Sequence, residues 1–406
     1  MPHHPSTQPV SIRLRSTWWF WLLATSVFIS ALGCQPTQQL VVVPNTTTPV
    51  SGSVTTPPST TVSLPAVYVG SYDGSLYALD TTRGTPLWTF RADTSIHSSP
   101  VVAYGRVYIG SLGGKLYALD ATSGSPIWSR TLGAGIYSSP TIVDGRLFIG
   151  CQDGKLYAFD ATTGNLLWRY DTSMGISTQV YGLYSSPAVA NGRVFIGGQD
   201  NKVYALDATT GLLRWRYQTD GFILSSPGVS GSQVYIGSSD NKLYAFSAET
   251  GALVWQYKTA GVVDSSPVTA AGVVYVGSGD NTLYALDATM GQPRWTYATG
   301  GVLYVSPVVA AGTVYIASRD HSLYAINAQT GQRQWAFQTQ FDCYSSPAVT
   351  GETVYIGSND TRLYAINRRA GQVRWSFKTG GVVVSSPVVA QKSQLLGIYP
   401  TISGGK

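Results

Sequence analysis

Ser138-Ser139-Pro140-Thr141-Ile142-Val143, Arg146-Leu147-Phe148-Ile149-Gly150, Lys155-Leu156-Tyr157-Ala158-Phe159-Asp160 and Leu166-Leu167-Trp168-Arg169-Tyr170 follow one another within a single stretch of the chain. Each run is short, rich in β-branched or aromatic residues and bounded by turn formers, which is the signature of a strand. Asp144-Gly145 and Asp153-Gly154 read as hairpin turns of the I′ kind, because that turn needs residues tolerant of positive φ. The last strand opens after Thr163-Gly164. Four antiparallel strands in about forty residues make one blade of a β-propeller.

The unit recurs. Trp88, Trp128, Trp168, Trp215, Trp255, Trp295, Trp335 and Trp375 are forty residues apart, except for a gap of forty-seven between Trp168 and Trp215. The tyrosine of the third run and the Ser-Pro pair of the first also recur eight times each. A fixed period of this size marks an array of supersecondary units. The first copy, starting at Val67, lacks a leading Ser-Ser-Pro strand, and a spare one follows Trp375 at Ser385-Ser386-Pro387-Val388-Val389. The chain is therefore expected to be all-β: an eight-bladed β-propeller, four antiparallel strands per blade, closed by the C-terminal strand joining the first blade. Closure removes the free ends that an open array would expose.

Composition agrees. Charged residues are 11% of the 406, with 44 Gly and 26 Tyr, which suits short strands and tight turns better than helices. The net charge is +6, its basic residues are scattered, and two of them, Arg13 and Arg15, lie ahead of the propeller, so nucleic acid is not an expected partner. Cys34, Cys151 and Cys343 are far apart and form no metal-ligand or haem motif. The latter two read as small buried residues.

Residues 1–33 read as a signal peptide: a basic, acid-free flank, then the apolar run from Trp18 to Gly33, which is short for a membrane span. Ser30-Ala31-Leu32-Gly33-Cys34 resembles a bacterial lipoprotein signal, with Cys34 the lipidated residue, although Ala31 stands where Leu is favoured. Residues 34–65, rich in Thr, Pro and Ser and without charge, are expected to be a disordered tether. The propeller is expected over 66–390, with a C-terminal tail at 391–406, and to be monomeric.

Along the outermost strand, Trp168 and Tyr170 share one face and Trp215 and Tyr217 another such face, expected to pack on a neighbouring blade. Each buried aromatic would contribute about 4–6 kcal/mol as an upper bound. Arg169, Arg214 and Arg216 on the other face suit an exposed sheet edge that must not pair with other chains.

Ala118, Asp120, Gly124 and Trp128 resemble the tryptophan-docking motif A-x-D-x-x-x-G-x-x-x-W of pyrroloquinoline-quinone (PQQ) type propeller repeats. Ala158, Asp160, Gly164 and Trp168 repeat it, while Ser247, Asn327 and Asn367 replace the Asp in three copies. The resemblance implies one of two classes: quinoprotein dehydrogenases that use PQQ and calcium, or non-catalytic propellers similar to BamB, a lipoprotein of outer-membrane β-barrel assembly. Of the twenty acidic residues, twelve fall in the repeat motif or in hairpin turns, too few remaining for a calcium–quinone site. No Ser–His–Asp or Cys–His arrangement is evident. The expectation is a non-catalytic, cofactor-free protein-interaction scaffold. It would be exported and anchored in the cell envelope, in an outer membrane on the BamB-like reading, with an envelope protein such as a β-barrel assembly subunit as partner. A ligand-binding or sensory propeller for a peptide or sugar is the alternative, and a PQQ-dependent dehydrogenase a third.

Shared positions build the blade, so function is sought where the copies differ. The residue before Ser-Ser-Pro varies most informatively: His97, Tyr137, Tyr184, Leu224, Asp264, Tyr304, Tyr344 and Val384. If these encircle one mouth of the channel they form an amphipathic aromatic funnel. The seven-residue insertion around Met174 and Tyr181 is a candidate binding loop beside it.

Overall fold

In the computed structural model, residues 53–55, 65–172 and 181–390 are described. The expected signal peptide, Cys34, most of the expected tether, Met174 and residues 391–406 lie outside the described residues. Eight sheets form eight four-stranded antiparallel blades, the first with a fifth strand added. No helix occurs among the described residues. Blade 3 shows the plan: Thr141–Val143 innermost, then Arg146–Gly150, Lys155–Asp160 and Leu166–Asp171 outermost. Ser-Ser-Pro leads into the innermost strand rather than belonging to it, since Pro has no N–H for the ladder.

Closure is as the sequence implies. Val388–Val389 supplies the innermost strand of blade 1, pairing Val67↔Val389 and Tyr68↔Val388. At the other edge of that blade, Ser53–Thr55 adds a strand outside Pro86–Arg91, in the register Ser53↔Arg91 to Thr55↔Thr89. Three residues of the stretch expected to be a tether thus cover a sheet edge.

The tryptophans join blade to blade. Trp88 Nε1 donates to Ala121 O of the next blade at 3.1 Å, Trp128 to Ala161 O at 3.2 Å, and Trp375 closes the ring by donating to Thr81 O at 3.0 Å. In several blades a second-strand tyrosine donates to the same carbonyl, as Tyr68 does to Ala121 O at 2.8 Å. The motif glycine lies flat on the indole of the preceding blade. Gly124 has φ +72°, and a Cβ there would stand 2.6 Å from Trp88 Cε3, so both conformation and space exclude a side chain. The motif aspartate caps the turn, Asp120 Oδ1 accepting the N–H groups of Thr122 and Ser123 at 2.9 and 2.8 Å. Arg169, Arg214 and Arg216 are exposed on the outermost strands, and Arg214 pairs with Asp207 at 2.6 Å.

One turn differs from its sequence reading. Asp144 and Gly145 both have positive φ, 50° and 73°, as a I′ turn requires. In Asp153-Gly154 only Gly154 does, and its N–H donates to Cys151 O at 3.1 Å, so this is a longer turn ending in one left-handed residue. Asp153 is there for its carboxylate. It accepts Lys155 N–H at 3.1 Å and Tyr157 Oη–H at 2.6 Å. Blade 2 has Gly113 at this place, and Tyr117 donates instead to Asp93 at 3.2 Å.

Candidate functional site

The connections that lead from each outermost strand into the next innermost strand gather at one end of the channel. They bring His97, Tyr137, Tyr184, Leu224, Asp264, Tyr304, Tyr344 and Val384 together around one cavity of about 470 Å³. The seven funnel residues singled out in the sequence, with Val384, therefore share one mouth. Tyr181 is partly buried near the same connection, while its companion Met174 lies outside the described residues.

The mouth is not symmetric. Tyr72, His97, Tyr137 and Tyr184 form a continuous arc with ring centroids 6.2, 4.9 and 4.8 Å apart. Gln152 Nε2 donates to Tyr184 Oη and fixes the end of the arc. Burial lowers the His97 pKa, which keeps the imidazole neutral at neutral pH, and raises the Tyr137 pKa, with Tyr184 adding to the effect. Across the mouth the character changes. Asp264 accepts a hydrogen bond from Ser239 Oγ at 2.9 Å, but burial outweighs this and pushes its carboxyl up. Arg319 Nε donates to Asp342 at 2.9 Å, its guanidinium lies 5.2 Å from the Tyr344 ring centre, and His321 approaches the same aspartate at 3.0 Å.

Beneath the arc the channel wall is serine. Ser99 N–H donates to Ser139 Oγ, Ser139 N–H to Ser186 Oγ, and Ser186 N–H to Ser226 Oγ, at 2.8–2.9 Å. The chain of bonds crosses the closure where Ser386 N–H donates to Ser99 Oγ at 3.0 Å. Sequence reasoning missed Tyr72, Arg319 and Asp342, which come from the turns between second and third strands and from the connections. It also passed over the serines, whose constancy reads as scaffolding. The turn position itself varies from Tyr72 through Gln152 to Arg319, and that variation was the available signal.

A second cavity, about 490 Å³, lies at the closure seam, bounded by Pro65, Thr81, Tyr355, Arg374 and Ala390. It is bordered by two blades only and gathers no set of divergent residues. Cys151 and Cys343 are buried free thiols, and burial raises each thiol pKa to about 12, so neither is a reactive group.

The funnel does not fit a calcium–quinone pair. Calcium takes six to eight oxygen ligands, several of them carboxylate. The cavity lining offers one carboxylate, Asp264, already bonded to Ser239. Among the described residues no group of three His, Cys, Asp or Glu side chains is placed to hold a metal.

Comparison with known proteins bears on residues 43–400. The family model described as the β-propeller of beta-alanine-activating enzyme matches residues 185–400, more than half of the chain. The model described as outer membrane protein assembly factor BamB matches residues 43–111 and 72–184. No curated protein matches. Among solved structures, BamB from Moraxella catarrhalis is 21% identical with a TM-score of 0.61, covering 70% of this chain and 89% of that one. The computationally designed Ika8 protein is 15% identical, TM-score 0.63, over 72% and 89% of the two chains. Quinohemoprotein alcohol dehydrogenase ADHIIG from Pseudomonas putida HK5 is 18% identical, TM-score 0.60, over 79% and 69%. An assembly factor, a design and an alcohol dehydrogenase share this architecture, so these likenesses carry the fold and not the activity. By the extent of the first model the chain belongs to the β-propeller family of beta-alanine-activating enzyme, and its tryptophan-docking repeats are of the PQQ type, similar over residues 43–184 to those of BamB.

Proposed function

We propose that this chain is a non-catalytic propeller, held in the cell envelope by lipidated Cys34, that acts as a protein-interaction scaffold in outer-membrane β-barrel assembly. The observation that carries the reading is where the carboxylates are. The motif aspartates cap turns, as Asp160 does by accepting the N–H groups of Thr162 and Thr163. The turn aspartates hold the third-strand tyrosines, as Asp280 holds Tyr284 at 2.7 Å. Several also fasten the connection entering their own blade, Asp280 accepting Ala260 N–H at 2.9 Å and Asp73 accepting Gly380 N–H at 2.7 Å. Of the remaining eight, Asp144 forms a positive-φ turn, Asp93 holds Tyr117, and Asp264 accepts from Ser239. Asp171, Asp220, Glu249, Asp342 and Glu352 pair with Lys155, Lys242, Arg193, Arg319 and Arg368 respectively. Of all these acidic side chains only Asp264 lines the central cavity; the others hold turns or tyrosines or pair with basic residues. A rigid ring with divergent loops at one mouth suits a scaffold, because loops on a fixed frame carry recognition.

The test is crosslinking in intact cells, affinity recovery of the full chain from detergent-solubilised envelopes, and mass spectrometry. A barrel-assembly subunit is expected with it. Recovery of none, from cells shown to express one, overturns the assembly role. For the catalytic alternative, loading with PQQ and calcium is expected to give neither a bound-quinone spectrum nor dye reduction.

A further inference from the structure

The funnel joins two surfaces that do not occur together elsewhere in the described molecule. The arc Tyr72–His97–Tyr137–Tyr184 presents four π systems in a row, their planes tilted 44–61° from one to the next. An aromatic face carries negative quadrupole charge and attracts the weakly positive hydrogens of aliphatic C–H groups. Below the arc lies the serine band. Each bonded Ser Oγ accepts a backbone N–H from the preceding blade at 2.8–3.0 Å, and this continues on the far side through Ser306 to Ser346 and Ser346 to Ser386. A hydroxyl that accepts in this way keeps its own proton to donate. The wall is thus a close-set array of O–H donors, with the tyrosine hydroxyls above it and Asp264 as an acceptor at one side.

Charge narrows the choice of ligand. No Lys or Arg lines the cavity, and Arg319 at its rim is already held by Asp342 and the Tyr344 ring, so no free cation is set to neutralise an anion. Its one carboxylate, Asp264, already accepts Ser239 Oγ–H at 2.9 Å, and no second acid lines the cavity to complete an anionic cage for a cation. What remains is a neutral molecule with hydroxyls on its edges and C–H groups on its faces. The cavity, about 470 Å³, is in the size range of sites for small ligands rather than of a flat protein interface.

We infer that the funnel is a carbohydrate site that takes a short neutral oligosaccharide, stacking its C–H faces on the Tyr72–His97–Tyr137–Tyr184 arc and binding its hydroxyls through the serine band and Asp264. The site does not depend on the assembly role, which is decided separately by partner recovery.

The experiment is calorimetric titration of the exported chain with maltotriose, cellotriose and triacetylchitotriose, up to about 10 mM so that affinities near 1 mM register. Choline and a Pro/Tyr-rich peptide are titrated alongside. At least one trisaccharide is expected to saturate. Tyr137→Ala and Tyr184→Ala should each weaken it about tenfold or more, the worth of one lost stacking partner. Met290→Ala, an exposed side chain in a turn after a third strand, should bind as the parent does. Saturation-transfer NMR on the unmutated chain answers the same question without a variant: irradiating aromatic protons should pass signal to sugar ring protons. The inference is overturned if no trisaccharide binds, if both tyrosine variants bind as tightly as the parent, or if only choline or the peptide binds.

Discussion

Trp128 and Tyr137 are nine residues apart and face opposite demands. Trp128 is 5% exposed, lies under Gly164 and donates to Ala161 O of the next blade, and the same arrangement recurs around the ring. Tyr137 is half-buried, touches His97 and Tyr184, and has a different residue at its place in half of the blades. The first belongs to a frame in which any change is felt by two blades at once. The second lines a cavity, where a change alters what the mouth can hold. Constancy between copies marks what every blade must have to stand, and divergence marks what only one place needs.

Breaking the frame should have the largest effect. Trp128→Ala removes a buried indole and its hydrogen bond, and should cost about 3–5 kcal/mol, seen as a marked fall in thermal midpoint. Next comes a place where the frame itself diverges. The fifth residue of the second strand is Gly in seven blades and Ala317 in blade 7. In blade 6 the corresponding Gly277 is so close that a Cβ would lie 2.6 Å from Leu303 Cβ. Blade 7 has Cys343 where the others have Ile, Leu or Val, and Ala317 and Cys343 share one buried cluster. The smaller side chain makes room for the extra methyl. Cys343→Ile should therefore destabilise by about 1–3 kcal/mol through overpacking. Ala317→Gly in the same chain should recover most of that, which a double-mutant cycle of urea midpoints would read.

A smaller effect is expected at the turn latch. Tyr157→Phe leaves the Asp153 carboxylate without its phenol donor and should cost about 1 kcal/mol, measured in the same urea series. The smallest belongs to Cys151. Its thiol donates to Ala134 O at 3.2 Å, as Ser238 Oγ does to Gly221 O at 3.2 Å two blades on. Cys151→Ser should change stability by no more than about 0.5 kcal/mol, and a larger loss would show that the copies are not equivalent there.

The fold was legible because each level of the sequence repeats it. The tryptophan period, the Ser-Pro pairs and the displaced last strand all state the same ring. Two features were not. The Asp153-Gly154 turn looks like a I′ pair by composition, and only the backbone shows that the aspartate is held for its carboxylate. Ser53–Thr55 has no pattern of its own, and three residues on a sheet edge gain their pairing from Pro86–Arg91. At the mouth, one position per blade was enough to find seven funnel residues, since a ring turns equivalent positions into neighbours. Tyr72 and Arg319 approach from a second turn and join the mouth only when the blade is folded. The serines were hidden by their regularity, because a residue needed in every blade gives no contrast to read.

The separation of frame from mouth is tested most directly by thermal melting of Tyr137→Ala/Tyr304→Ala beside Trp128→Ala. The two tyrosines come from blades on different sides of the mouth, and neither bridges to a neighbouring backbone carbonyl as Trp128 does. The double variant should lose less than half as much in midpoint as the single tryptophan change, while its funnel is emptied of two rings. A double variant that melts as low as Trp128→Ala would contradict the account, by showing that the divergent mouth is as much a part of the frame as the repeated tryptophans.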